Sequence, residues 1–77
     1  MQTLIARLSD EDLRRWRMVG ARKAALEANP EAYSATESEQ IYMSYFTLSG
    51  EFVERYGVQD YRDWRISSAA GEIFYEE

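Results

Sequence analysis

The sequence has no cysteine and no histidine. Without cysteine no disulfide can brace the chain, and without either residue the usual ligands of a structural zinc are missing. The lack of histidine also removes the commonest general base. Lys23 is the only lysine, so a serine nucleophile has no conventional partner. No window approaches the ~18 apolar residues that a membrane span requires. Residues 1–8, MQTLIARL, hold neither a long apolar run nor a small-residue cleavage site, so no signal peptide is expected. There is no P-loop and no GxGxxG, and Asp10-Glu11-Asp12 lacks the spacing and the glycine of a calcium loop. Glycoside hydrolysis by paired carboxylates needs a cleft holding two acids ~5–9 Å apart, for which a short chain has little material. From these absences the expectation is a cytoplasmic protein that is not an enzyme, with no catalytic residues, no metal and no cofactor.

What the chain does have is 77 residues, 45% hydrophobic and 30% charged, a mixture that folds. Its length suits one small domain, residues 1–77, with a core that supplies only ~3–5 kcal/mol. Aromatic residues are plentiful at 14%, and each can bury about 150–250 Å².

Formal net charge is −5, unevenly spread. Residues 1–23 carry six positive and three negative side chains, residues 24–77 three positive and eleven negative. Such a division implies internal pairing or two different binding faces. Five of the nine positive charges fall in residues 14–23, RRWRMVGARK.

Ser9 followed by Asp10, Glu11 and Asp12 marks a helix start. Ser9 is the cap, Asp12 stands at the capping-box position, and Leu8 can staple against Leu13. Asn29-Pro30 stops this helix, which spans about residues 10–28. On a wheel Leu13, Trp16, Val19, Gly20, Ala24 and Leu26 share one face. Arg14, Arg15, Met18 and Arg22 fall mostly on the other, and Arg17 and Lys23 flank the apolar arc. Gly20, on the buried face, is expected to admit a close neighbour.

Asn29-Pro30-Glu31-Ala32 reads as a short helical turn with Asn29 as cap. Overlapping capping boxes at Ser34–Glu37 and Thr36–Glu39 then open a second helix, about 35–56, ended by Gly57. Its apolar stripe is Ile41, Tyr45, Leu48, Phe52 and Tyr56, widened by Tyr42, Phe46, Ser49 and Val53. Glu37, Gln40, Ser44, Thr47, Glu51 and Glu54 form its wet side. A short connection makes the two helices antiparallel.

After Gly57 the period changes to a β-hairpin, about 63–76, turning at Ser68-Ala69-Ala70-Gly71 with Gly71 at positive φ. Pairing Ser67 with Glu72 sets Ile66 against Ile73 and Trp64 against Tyr75 on one side, with Arg65 and Phe74 on the other. Trp64 is expected to be fully buried. The fold class is α+β, an antiparallel two-helix hairpin with a C-terminal two-stranded β-hairpin packed on it.

Arg14, Arg15 and Arg22 are the residues a nucleic acid would meet, but Trp16 turns to the apolar face and the chain as a whole is acidic, both of which argue against a nucleic-acid partner. Exposed acids and aromatics fit a protein partner with a basic surface better. The expected function is that of a non-catalytic adaptor, regulator or inhibitor. Glu37, Glu51 and Glu54 would steer, Phe74 would anchor, and no membrane is involved. The alternatives are a nucleic-acid accessory protein using the three arginines, or a homo-oligomeric structural module. The thin core and off-core Met18 and Phe74 point to a homodimer.

Overall fold

Ser9 and Ser34 each accept a backbone N–H from the third residue of the helix that follows. They start α1 (Asp10–Ala28) and α2 (Ala35–Tyr56) at the positions the sequence predicts. The computed structural model describes residues 2–77, so Met1, the first residue of the expected unit 1–77, lies outside the described part. Ser34 and Glu37 form a complete capping box, each side chain bonding the other's backbone N–H. Between the helices Pro30–Ala32 makes one 3-10 turn with proline at its start, although the Asn29 side chain makes no cap bond. Gly57 ends α2 in the left-handed region at φ 68°, and the Gly57 and Val58 N–H groups both return to the Val53 carbonyl.

The two strands after α2 are β2 (Trp64–Ser67) and β3 (Glu72–Glu76). Their register is the one expected: Trp64 with Tyr75, Arg65 with Phe74, Ile66 with Ile73, Ser67 with Glu72. Gly71 closes the turn at φ 67°, its N–H reaching the Ser67 carbonyl at 2.8 Å.

The sheet is larger than the two-stranded hairpin predicted. Residues Gln2–Arg7 form a strand, β1, antiparallel to β3, which gives the order β1-β3-β2. A bulge between Leu4 and Ala6 breaks the alternation of β1. The physical need is plain, since an isolated hairpin is marginal in water and a third strand satisfies the free edge of β3. The Leu8 N–H bonding the Gly71 carbonyl at 2.8 Å then carries the chain into α1.

One face of the sheet packs on the helices. Leu8, Leu48, Phe52, Val58, Ile73 and Tyr75 form the buried cluster, with Ile5, Leu13, Trp16, Val53, Tyr56, Trp64 and Ile66 against it. Leu26 and Ile41 are buried apart from that cluster. The reason is length. A 22-residue helix runs about 33 Å while a six-residue strand runs about 20 Å, so the sheet covers only part of the helical hairpin. The described chain is accordingly elongated, 38 × 25 × 22 Å. Ala24, expected on the buried face of α1, is exposed in the part the sheet does not reach. Gly20 is also not a site of close approach, because a Cβ there would meet nothing within 4 Å.

Candidate binding cleft

The arginines of α1 divide by where the helix turns them. Arg15 lies against α2 and donates to both oxygens of Glu51, at 2.6 and 3.1 Å. Arg55, one turn after Glu51, donates to the same carboxylate at 2.9 Å and to Asp12 at 2.6 Å. Asp12 is only 2% exposed, and it also accepts the Tyr56 hydroxyl at 2.6 Å and a longer bond from Arg15. Its carboxylate has therefore turned away from the capping-box bond expected of it and ties α1 to the end of α2. Two carboxylates and two guanidinium groups close a neutral network, which makes burial of Asp12 tolerable. Burial alone pushes the Asp12 carboxyl up, yet the Arg55 and Tyr56 hydrogen bonds and the charges of Arg55 and Arg15 outweigh it, leaving it below 3.8. The Arg15 hydrogen bond likewise holds Glu51 below 4.5, against a smaller opposing push from burial.

Arg17 donates twice to the Ser68 carbonyl, at 2.9 and 2.7 Å, and so braces the β2–β3 turn. Lys23 pairs with Glu27 and sits 4.9 Å from the centre of the Tyr45 ring. Arg14 and Arg22 are exposed and make no ion pair among the described residues. The basic run is thus mostly committed within the fold, and of the expected nucleic-acid face Arg15 is partly exposed but held by Glu51 of α2.

The expected protein-binding residues are dispersed. Glu37 is used as a cap. Glu51 is not on the wet side but half-buried between Arg15 and Arg55. Glu54 is exposed. Phe74 is half-buried on the outer face of β3, beside Leu4 of β1 and Arg65 of β2. No geometry brings these four together.

The structure assembles a different group. Trp16 of α1, Tyr45, Phe46 and Ser49 of α2, Asp60 and Asp63 of the following loop, and Trp64, Arg65 and Ile66 of β2 line an open cleft of about 470 Å³. Its size falls within the ~300–1,000 Å³ of ordinary ligand sites. The Trp16 ring lies 5.2 Å from that of Tyr45 and 5.9 Å from Phe52, so its inner side belongs to the core. Tyr45 in turn meets Phe46 edge-on at 5.6 Å. Phe46 is 65% exposed. Trp64 is half-buried rather than fully buried, and its indole N–H donates to Asp60 at 2.8 Å. Arg65 stands between Asp63 and Glu76, at 3.6 and 3.1 Å, so its single charge is more than offset by two carboxylates. Asp60 has only the neutral indole as a hydrogen-bonding partner among the described residues.

Helical periodicity placed Phe46 in the stripe of α2 and could not place Asp60 or Trp64 beside it, because the cleft joins three elements. A larger but shallower groove of about 660 Å³ runs along Arg22, Thr36, Glu39, Gln40, Met43, Ser44 and Thr47. It adjoins a smaller hollow holding Met18 and Val19, with Ser44 and Thr47 common to both. Among the described residues no group of three acidic, histidine or cysteine side chains is placed to hold a metal ion, and no helix is long and apolar enough to cross a membrane. Set beside known proteins, the chain matches no family model, no curated protein and no solved structure.

Proposed function

We propose that the chain is a non-catalytic binding module, a cytoplasmic adaptor, regulator or inhibitor that docks on a basic surface of another protein. One observation carries this reading: rings from α1, α2 and β2 are gathered around a cleft whose open side bears Asp60 and Asp63. Aromatic anchors at the centre and charge at the rim are the usual anatomy of a protein-recognition site. An acidic rim favours a basic partner and speeds encounter with it. A photoreactive benzoylphenylalanine at position 46, with parallel samples carrying it at positions 22 and 74, tests the reading in living cells. Protein adducts concentrated at position 46 are expected. Adducts to nucleic acid from position 22, or none from position 46, would overturn it.

A second reading, self-association, rests on Met18 and Met43. Both are exposed on the seam between α1 and α2, on the opposite flank of α2 from the cleft. Flexible thioethers suit a repacking surface. Arg22 and Glu39 on the same seam lack ion pairs among the described residues and have opposite sign, so two copies related by a two-fold axis can exchange them. Sedimentation at micromolar concentration is expected to show a homodimer, and a 9.0 kDa species alone would remove this reading.

A further inference from the structure

The chain deals with its own cations in a repeated way. The Arg62 guanidinium lies 3.7 Å from the centre of the Tyr75 ring and pairs with Glu77. Lys23 lies over Tyr45 and pairs with Glu27. In each case a cation is shared between a ring face and a carboxylate. The cleft contains a third such combination, Trp64 with Asp60, already fixed to one another by the indole hydrogen bond. No cation of the described chain pairs with Asp60 or lies over the Trp64 ring.

We propose that the cleft is a receptor for an arginine side chain presented by a partner protein, the guanidinium lying among the rings of Trp64, Phe46 and Trp16 and donating to Asp60. This rests on the reading of the chain as a protein-binding module and names the chemistry it recognises. Charge complementarity supports it, because Arg65 already pairs with Asp63 and Glu76, and of the two carboxylates lining the cleft Asp60 has no ion pair among the described residues. Guanidinium fits better than ammonium. It is planar, stacks on rings while still donating in its own plane, and gives up its hydration more easily. A cleft of about 470 Å³ is larger than one side chain, so the neighbouring residues of the partner segment enter with it.

The test uses the ¹⁵N-labelled chain and three peptides: acetyl-Gly-Ser-Arg-Arg-Ser-Gly-amide, its citrulline counterpart and its lysine counterpart. The arginine peptide is expected to shift the Trp16 and Trp64 indole resonances and the Phe46 amide saturably. The citrulline peptide, of the same shape without charge, is expected to bind about tenfold more weakly or worse. Asp60→Asn can still accept the indole N–H, so it removes charge and keeps the ring in place. It and Phe46→Ala are each expected to weaken the arginine peptide about tenfold, while Arg14→Glu leaves it unchanged or tighter. Equal binding of the citrulline or lysine peptide would overturn the guanidinium assignment. An indole response to cellohexaose but not to arginine would replace it with a carbohydrate site. Shifts clustered instead around Asp10, Glu11 and Glu54, indifferent to Asp60→Asn, would remove the cleft and leave the protein-binding reading standing on another face. No saturable response to either basic peptide, together with no adduct from position 46, would remove both.

Discussion

Tyr56 donates its hydroxyl to Asp12 at 2.6 Å, and the same oxygen receives the Ser9 backbone N–H at 3.1 Å. One side chain at the end of α2 therefore secures both the cap of α1 and the buried Asp12 carboxylate, which the sequence places at the capping-box position. Asp12→Asn is expected to lower stability by on the order of 2 kcal/mol, measured by urea unfolding at pH 7, because it weakens charge-assisted bonds to Arg55, Arg15 and Tyr56. The pH dependence has a definite sign. Asp12 and Glu51 both have folded values below their unfolded 3.8 and 4.5. The folded state thus binds fewer protons, and their contribution is full above about pH 4.5 and is lost as pH falls through the folded values. Thermal melts from pH 6 down to pH 2 are expected to show this loss, with a shallower slope in Asp12→Asn.

Glu51 and Glu54 are three residues apart but not equivalent. Glu51→Lys sets a third positive charge between Arg15 and Arg55 and is expected to destabilise the helical hairpin. Glu54→Lys, on solvent, is expected to leave Tm within about 4 °C of the parent. Circular dichroism melts of the two single variants separate these outcomes.

Two glycines are expected to respond with opposite sign. Gly20 has open space where a Cβ would stand, so Gly20→Ala should stabilise by about 0.5–1 kcal/mol. Gly71 has φ 67°, and a Cβ there would come within 2.9 Å of a Leu13 methyl. Gly71→Val should therefore cost 1 kcal/mol or somewhat more, roughly, from backbone strain plus displacement of Leu13. Chemical denaturation of each variant checks the sign.

The sheet leaves part of the helical hairpin without a covering layer, and Leu26 and Ile41 are the buried residues there. Hydrogen exchange is expected to be faster in residues 22–28 and 35–42 than in β3 and in Leu48–Phe52, where the main cluster lies. Equal protection along α2 would show that the far end is held by something else, such as a second copy.

Local signals in the sequence account for much of this fold. Ser9, Ser34, Pro30 and Gly57 delimit the helices, and Gly71 with the Ile66–Ile73 pairing sets the hairpin register. β1 was not legible, because its bulge hides the alternation and its partner Tyr75 is some seventy residues away from Thr3. The cleft was illegible for a related reason. Trp16, Phe46 and Asp60 become neighbours only when three elements meet, and a wheel drawn for one helix cannot show that Phe46 stays open. The Arg15–Glu51 pair was half legible. Charge asymmetry implied internal pairing, while the wheel placed both residues on solvent.

The basic run RRWRMVGARK gives Arg15, Arg17 and Lys23 to contacts within the fold, and partner binding is proposed for the aromatic cleft instead. The most direct test compares two double variants for association with the protein captured from position 46, by surface plasmon resonance at 150 mM salt. Phe46→Ala with Asp60→Asn is expected to weaken binding by about tenfold or more, while Arg14→Glu with Arg22→Glu changes it by less than about twofold. The reverse order, with the arginine pair needed and the cleft pair dispensable, would contradict the assignment of the cleft.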